Sequence, residues 1–425
     1  MKIAVIGTGI AGNVVARHLY REHDITVFEA ADYVGGHTHT IDVVLGGERY
    51  AIDTGFIVFN DRTYPNFIAL LDDLGVASQP TEMSFSVRCE RTDLEYNGAS
   101  LNALFAQRRN LLRPSFHRML RDIIRFNREA PDLLDVGEDV RTLGDVLRAG
   151  AYSREFVEHY LVPMGAAIWS AEPKNIYRFP AQFFIRFFRN HGLLSINDRP
   201  QWRVVAGGSR SYVEALVRPF RDRIRLRSPV CVVTRYADHV EIRSQGGPPE
   251  RFDCVFIAAH SDQALAMLRD ASAQEREVLA AIPYQENDVV LHTDASLLPR
   301  RRRAWAAWNY HLFADPQTRV AVTYNMNILQ GLDAPAQFLV TLNCAERIDP
   351  AKVLARFRYD HPVLLPGSVG QQARMGEISG TRRTFYCGAY WQNGFHEDGV
   401  CSAMQALKYF REWVTHGEQP LRRVG

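Results

Sequence analysis

The sequence predicts an α/β fold: a Rossmann-like nucleotide-binding domain, discontinuous along the chain, with a second, mixed α+β substrate domain between its pieces. Three observations predict it. An apolar strand runs into a glycine turn and a helix at 2–21, a second strand ends in an acid at Glu29, and a short strand, a turn and a helix recur at 384–414. Ile3 to Ile6 form the continuous apolar run of an inner parallel strand. Gly7 makes the tight turn, Gly9 lets backbone approach a pyrophosphate, and Gly12 lets the helix pack on the strand. The helix, expected from Ile10 to Arg21, points its partly positive N-terminus at the phosphates, which places Ile10 and Ala11 in the cradle. Ile25 to Phe28 is the second strand, and Glu29 at its end is placed to accept hydrogen bonds from a ribose. This is the pattern of a dinucleotide site, with a purely structural glycine turn as the alternative.

Beyond Glu29 stands a second glycine pair, Gly35 and Gly36, then His37. A nicotinamide dehydrogenase has no need of one there. The arrangement resembles the FAD-binding amine oxidase and phytoene desaturase superfamily, in which such a pair and a following basic residue wrap the FAD pyrophosphate. That residue is usually arginine; here it is His37, which is not always charged at neutral pH. At the far end, Thr384 to Cys387 and Gly388 are followed by Gly394 to Val400 and a helix expected from Cys401 to Val414. This is similar to the superfamily's flavin segment, which sets a helix N-terminus against the flavin pyrimidine. The resemblance implies FAD as cofactor, with Gly399 touching the ring and Gly388, Glu397, Asp398 and Val400 beside it. It also implies Thr40 and Gly55 as contacts, Val230 on an adenine-side strand, and a closing parallel strand at 253–259.

With 425 residues, 46% of them hydrophobic, the chain buries a large core and is expected to form two domains. The FAD-binding domain is expected over 1–75, 200–275 and 376–425, the substrate domain over 76–199 and 276–375. A formal charge of +2 gives no bulk attraction for nucleic acid. Six cysteines with no CxxC and no metal spacing read as reduced and structural, and no metal site is expected. The strand at residue 2 leaves no room for a signal peptide, and no apolar run reaches about 18 residues. The expectation is a cytoplasmic protein, with a peripheral place at the inner face of the membrane left open.

Residues 99–195 show the three-to-four-residue apolar spacing of helices, whereas 288–292, 305–308, 319–324 and 337–342 alternate as an antiparallel sheet over the flavin. Nearly the full length resembles a bacterial subgroup of flavoproteins associated with cyclopropane-fatty-acid synthase-like, lipid-modifying enzymes. Asp53 to Asn60, Pro163 to Ser170, Asn190 to Leu194, His361 to Val363 and Gly394 to Gly399 carry that resemblance. It implies a fatty-acyl or phospholipid substrate, desaturation of a methylated acyl chain included, and admits a lipid-modifying partner enzyme.

The residues lean the same way. Where the amine oxidases set a cage tyrosine the chain has Phe395, and none of its four lysines (Lys2, Lys174, Lys352, Lys408) matches the lysine that holds a water at the flavin. A helix from Pro180 carries Phe183, Phe184, Phe187 and Phe188 among Arg178, Arg186 and Arg189, and reads as an acyl tunnel or membrane contact, or as a core helix. The run Arg300 to Arg303 reads as a lipid-phosphate site or a solvated loop. Gly207 and Gly208 fit a plain strand–helix turn and the superfamily's re-entry into the FAD domain equally. Candidate proton handlers are His396, Glu397, His361 and His39, Glu397 alternatively holding a flavin or ribose hydroxyl. The expected function is FAD-dependent dehydrogenation of a long apolar substrate. The alternatives are an amine oxidase, a redox-neutral double-bond isomerase, or a flavin-stabilised partner subunit.

Overall fold

A computed structural model describes residues 1–416, apart from positions 136, 138, 196, 316–318 and 320. The tail expected to fray at 422–425 lies outside the described residues. Five parallel strands make the nucleotide sheet, in the order Ile224–Arg225, Asp24–Phe28, Lys2–Ile6, Cys254–Ile257, Thr384–Tyr386. Lys2–Ile6 (β1) is central, covered on both edges and both faces, which explains a run with no polar alternation. Ile3, Ala4 and Val5 are fully buried, and each Ile or Val contributes roughly 1.5–3 kcal/mol by leaving water. The helix Ile10–Leu19 (α1) follows, and Asp24–Phe28 (β2) pairs with β1 in parallel register.

One boundary needs correction. The C-terminal helix spans His396–His416, so it begins five residues before the expected Cys401. The Asp398 carboxylate accepts the Phe395 amide at 2.8 Å and closes an extra first turn. Glu397, Asp398, Gly399 and Val400 therefore belong to the helix itself, which packs along α1.

The second domain is built on a seven-stranded sheet ordered Val353–Pro362, Tyr284–His292, Leu339–Leu342, Val322–Asn325, Trp308–Leu312, Phe85–Cys89, Leu94–Asn97. It is antiparallel except where Trp308–Leu312 pairs with Phe85–Cys89. The strand expected at 305–308 starts only at Trp308, because Arg302–Ala304 forms a short 3-10 turn just before Trp305. The strand expected at 319–324 is Val322–Asn325, position 320 lying outside the described residues.

The aromatic helix is Ala181–Asn190. Phe184, Phe187 and Phe188 are buried and Phe183 half-buried. Trp169 lies 4.7 Å from Phe187 and 5.6 Å from Phe184, ring to ring. This aromatic face is core, which removes the helix as a membrane contact. The hairpin Thr40–Leu45 with Glu48–Asp53 also sends Tyr50 and Ile52 into the second domain's core. All six cysteines are free thiols. No helix among the described residues is long and apolar enough to cross a membrane.

Candidate active site

Both glycine pairs and the C-terminal helix converge on the start of α1. Gly7 has φ +101°, and a Cβ there would lie 2.6 Å from the Ala258 carbonyl oxygen. A Cβ on Gly12 would lie 2.0 Å from the Gly7 oxygen, whereas Gly9 has nothing within 4 Å. The turn is thus packed shut behind and open in front. Gly9 caps α1 without a side-chain acceptor, so the amides of the first turn face that opening. Gly36, at φ +59°, would carry a Cβ 3.0 Å from the Gly9 Cα, which brings the second glycine pair onto the first. A Cβ on Gly55 would strike the His37 oxygen at 2.1 Å, and one on Gly399 would lie 2.6 Å from Ile10 Cγ2. Two helix N-termini therefore meet at Ile10. Ala11 and Val400 are buried beside them.

Glu29 closes the end of β2. Its Oε2 accepts the Thr8 amide at 2.8 Å and the Thr8 hydroxyl, and its Oε1 accepts the Ala31 amide at 2.8 Å. A carboxylate offers about four lone-pair sites, so three donors leave room for a ribose hydroxyl. Val230 starts the strand Val230–Arg235, two residues after Ser228, whose amide donates to the Glu29 carbonyl at 2.8 Å. Gly388 is tied to the same helix through its amide, which donates to Ser402 Oγ at 2.9 Å.

Thr40 is committed elsewhere. Its hydroxyl donates to Asp53 Oδ1 at 2.6 Å and accepts the Arg210 amide at 2.9 Å. Asp53, with its pKa pushed up to about 6 by burial, also accepts the Ser209 amide and hydroxyl. The turn after Gly207 and Gly208 is thereby fastened to the first segment of the chain.

The histidines are brought together but mostly engaged. His37, His260 and His361 form a cluster with ring separations of 5.9 Å (His37–His260) and 5.5 Å (His37–His361). Burial, aided by the neighbouring rings, lowers His37 to about 4 and His361 to about 3. Asn287 Nδ2 donates to His361 Nδ1 at 2.9 Å, leaving the proton on Nε2. His396 lies 2.6 Å from the Tyr212 hydroxyl, which lies 2.7 Å from Thr38 Oγ1. Its ring stacks on Phe56 at 3.7 Å, and burial lowers its pKa to about 3. His39 stacks on Tyr33 at 4.1 Å and reaches the Tyr359 hydroxyl at 2.9 Å.

Glu397 has a different job from the proton handling expected of it. Its Oε1 accepts Asn66 N at 2.9 Å and Asn66 Nδ2 at 2.6 Å, and its Oε2 accepts Phe67 N at 2.8 Å. Both oxygens clamp the N-terminus of the helix Pro65–Leu74. The expectation of a general acid or base at Glu397 is corrected on these grounds, since both its oxygens are taken by Asn66 and Phe67, whereas His396 commits only its Nε2, to the Tyr212 hydroxyl.

Next to this segment, Phe395 stacks on Phe187 at 5.1 Å, and Phe187 on His191 at 3.9 Å. Trp169 Nε1 donates to the Asn393 carbonyl, tying the aromatic wall to the C-terminal segment. His191 Nδ1 lies 3.0 Å from the Phe187 carbonyl oxygen, and burial lowers its pKa to about 4. Sequence reasoning missed Asn66, Tyr212, His260 and Asn287, whose partners are distant in the chain; Asp53, inside a quoted segment, was the findable one.

The sequence matches the family of flavin containing amine oxidoreductases over residues 10–296. The chain belongs to that family. FAD is its cofactor, and this flavoenzyme is an FAD-dependent oxidoreductase. Among its relatives, a 1-hydroxycarotenoid 3,4-desaturase of Flavobacterium sp. (strain P99-3) is 35% identical over 106 residues, 24% of this chain. The match spans only 20% of that relative's length. Cyclohexylamine oxidase from Brevibacterium oxydans superposes with a TM-score of 0.67 at 16% identity, covering 97% of this chain and 99% of that one. A CLA-producing fatty acid isomerase from P. acnes gives 0.70 at 16% identity, covering 96% and 98%. These likenesses establish the shared fold.

The flavoenzyme's own residues fit the cofactor. The open face of Gly9 is a backbone cradle, and His37 Nε2 is a buried polar atom without a partner beside it. His37, Gly9, Gly36 and the first amides of α1 would hold the pyrophosphate, Glu29 the ribose, and the first turn of His396–His416 the ring end.

Proposed function

We propose that this flavoenzyme dehydrogenates a long apolar substrate, a lipid acyl chain in particular. FAD, when bound, supplies the two-electron acceptor. The chain supplies an uncharged apolar wall. The observation that carries the reading is Phe395 stacked on Phe187 beside a neutral His191. An ammonium group would need π faces held apart or a carboxylate to receive it. Here the aromatic faces are stacked on one another, and the two carboxylates next to Phe395, Glu397 and Asp398, both turn to backbone amides. All four lysines are exposed, and Lys174 and Lys352 are paired with Glu172 and Asp294. The names of the carotenoid desaturase and the fatty acid isomerase support a long hydrocarbon substrate.

The wall's role is to exclude water and align the chain, while the Asn287–His361 pair holds an imidazole in one tautomer near His37. Anaerobic visible spectroscopy tests the reading. The FAD-loaded protein is mixed in turn with bacterial phospholipids and with an amine panel. Bleaching of the oxidised flavin band by phospholipid supports it; bleaching by amines alone overturns it in favour of an amine oxidase.

A further inference from the structure

We propose that the edge of the seven-stranded sheet carries a docking face for an anionic phospholipid surface. The outermost strand, Leu94–Asn97, would leave one row of backbone groups unpaired. Two segments cover it instead. On one side Gln107 accepts the Glu95 amide at 3.1 Å and donates to the Asp93 carbonyl at 3.0 Å, while Arg113 donates to the Thr92 carbonyl at 3.0 Å. On the other the buried Glu95 carboxylate accepts the amides of Arg300 at 2.8 Å and Arg301 at 3.3 Å. Asn97 Nδ2 donates to the Trp305 carbonyl at 2.8 Å. One four-residue strand therefore holds 101–113 and 300–305 side by side.

What these segments present is unusual for a surface in water. Leu101, Leu111 and Leu112 are 76%, 50% and 88% exposed. Scattered exposed leucines need no explanation, but Leu111 and Leu112 side by side in an arginine-rich turn, with Leu101 in the short helix that packs on Arg302–Ala304, do. The neighbouring ion pairs belong to Arg109 with Asp93, and to Arg88 and Arg301 with Glu95. Arg108, Arg113, Arg300, Arg302 and Arg303 have no carboxylate partner among the described residues. The helix that follows, Pro114–Glu129, also exposes Arg121 and Ile124. Arginines without a carboxylate partner would suit any polyanion; projecting leucines among them suit an interface of phosphates over acyl chains. The chain's overall +2 charge conceals this patch.

The docking face stands whichever substrate is oxidised, so it and the proposed reaction fail separately. The test is sedimentation of the FAD-loaded full chain with vesicles of phosphatidylcholine alone or mixed with phosphatidylglycerol. Partition onto the anionic vesicles only, weakening as salt rises, is expected. Arg302→Gln with Arg303→Gln lowers it roughly 30-fold, and Leu111→Asp with Leu112→Asp removes it, with flavin content and melting temperature retained in both. Equal partition onto both vesicle types, no partition, or variants that bind as the parent does would each overturn the proposal. So would retention on a DNA duplex without vesicle binding.

Discussion

Replacing Glu397 separates a clamp from a catalyst. The helix Pro65–Leu74 begins with a proline, which has no N–H, and its N-cap Tyr64 offers no side-chain acceptor. The Ile68 amide bonds to the Tyr64 carbonyl at 2.9 Å. That leaves two first-turn donors, Asn66 N and Phe67 N, and Glu397 takes both, together with Asn66 Nδ2. Glu397→Ala strands the buried Phe67 amide, while the donors of the exposed Asn66 turn to water. Hydrogen bonds to a charged group contribute about 1.5–3 kcal/mol each, and losing an N-cap costs about 0.5–2 kcal/mol. With only the Phe67 amide left unsatisfied, we expect a loss of about 2–3 kcal/mol, and roughly half that for Glu397→Gln, which keeps one acceptor oxygen. Urea denaturation gives the stability, and anaerobic stopped-flow gives flavin reduction per bound flavin. The expected result is a large drop in midpoint with reduction per flavin within about twofold of the parent. Unchanged stability with reduction slowed by about 10²–10⁴, the usual share of a general acid or base, would refute the clamp.

Three more outcomes follow from the site and its surroundings. Burial holds His37 at about 4 in the flavin-free protein, and a pyrophosphate raises it, so FAD binding takes up a proton between those two values. FAD affinity, measured by fluorescence titration, should fall by up to about tenfold per pH unit above about pH 4 and then level off, whereas His37→Arg should give a flat profile. Asp398 has its pKa pushed up to about 7 by burial, above its ordinary 3.8, so the fold disfavours its charge and stability declines as pH rises from about 4 to about 7. In thermal melts of flavin-free protein, Asp398→Asn should match the parent at pH 4 and exceed it at pH 8, by at most about 1.4 kcal/mol per pH unit of that interval. Finally, Arg235 and Glu275 are both buried and paired through two N–H···O contacts, one of 2.9 Å. Arg235→Met should cost about 3–5 kcal/mol in urea denaturation, and adding Glu275→Leu should recover only part of it, because Glu275 also accepts the buried Tyr386 hydroxyl at 2.6 Å and the Ser272 amide at 2.7 Å.

Local signals were legible in the sequence and tertiary ones were not. The turn at Gly7, Gly9 and Gly12 could be read because each glycine answers to a neighbour a few residues away or to an adjacent strand. The second pair could be read as a phosphate wrap only through resemblance, since nothing local says that Gly36 seats on Gly9. Glu397 was misassigned because its partners lie 330 residues earlier, where periodicity has no reach. The phenylalanine stripe on Ala181–Asn190 shows the same limit: spacing tells which face of a helix is apolar, not whether protein or lipid covers it. Trp305 misled for a different reason, since β-propensity at one tryptophan was outweighed by the 3-10 turn that precedes it.

The order of strands in the nucleotide sheet also bears on how the protein is made. β1 is synthesised well before its inner neighbour, Cys254–Ile257, which lies some 250 residues downstream. At about 5–20 residues per second, that strand edge waits roughly 12–50 s for its partner. Throughout that interval Ile3, Val5 and their neighbours present the short, apolar, uncharged edge that nascent chains aggregate through. The flavin has no complete seat until the Gly399 turn arrives later still. A chaperone that shields β1 and β2, rather than an abundant supply of flavin, should therefore set the yield of folded protein.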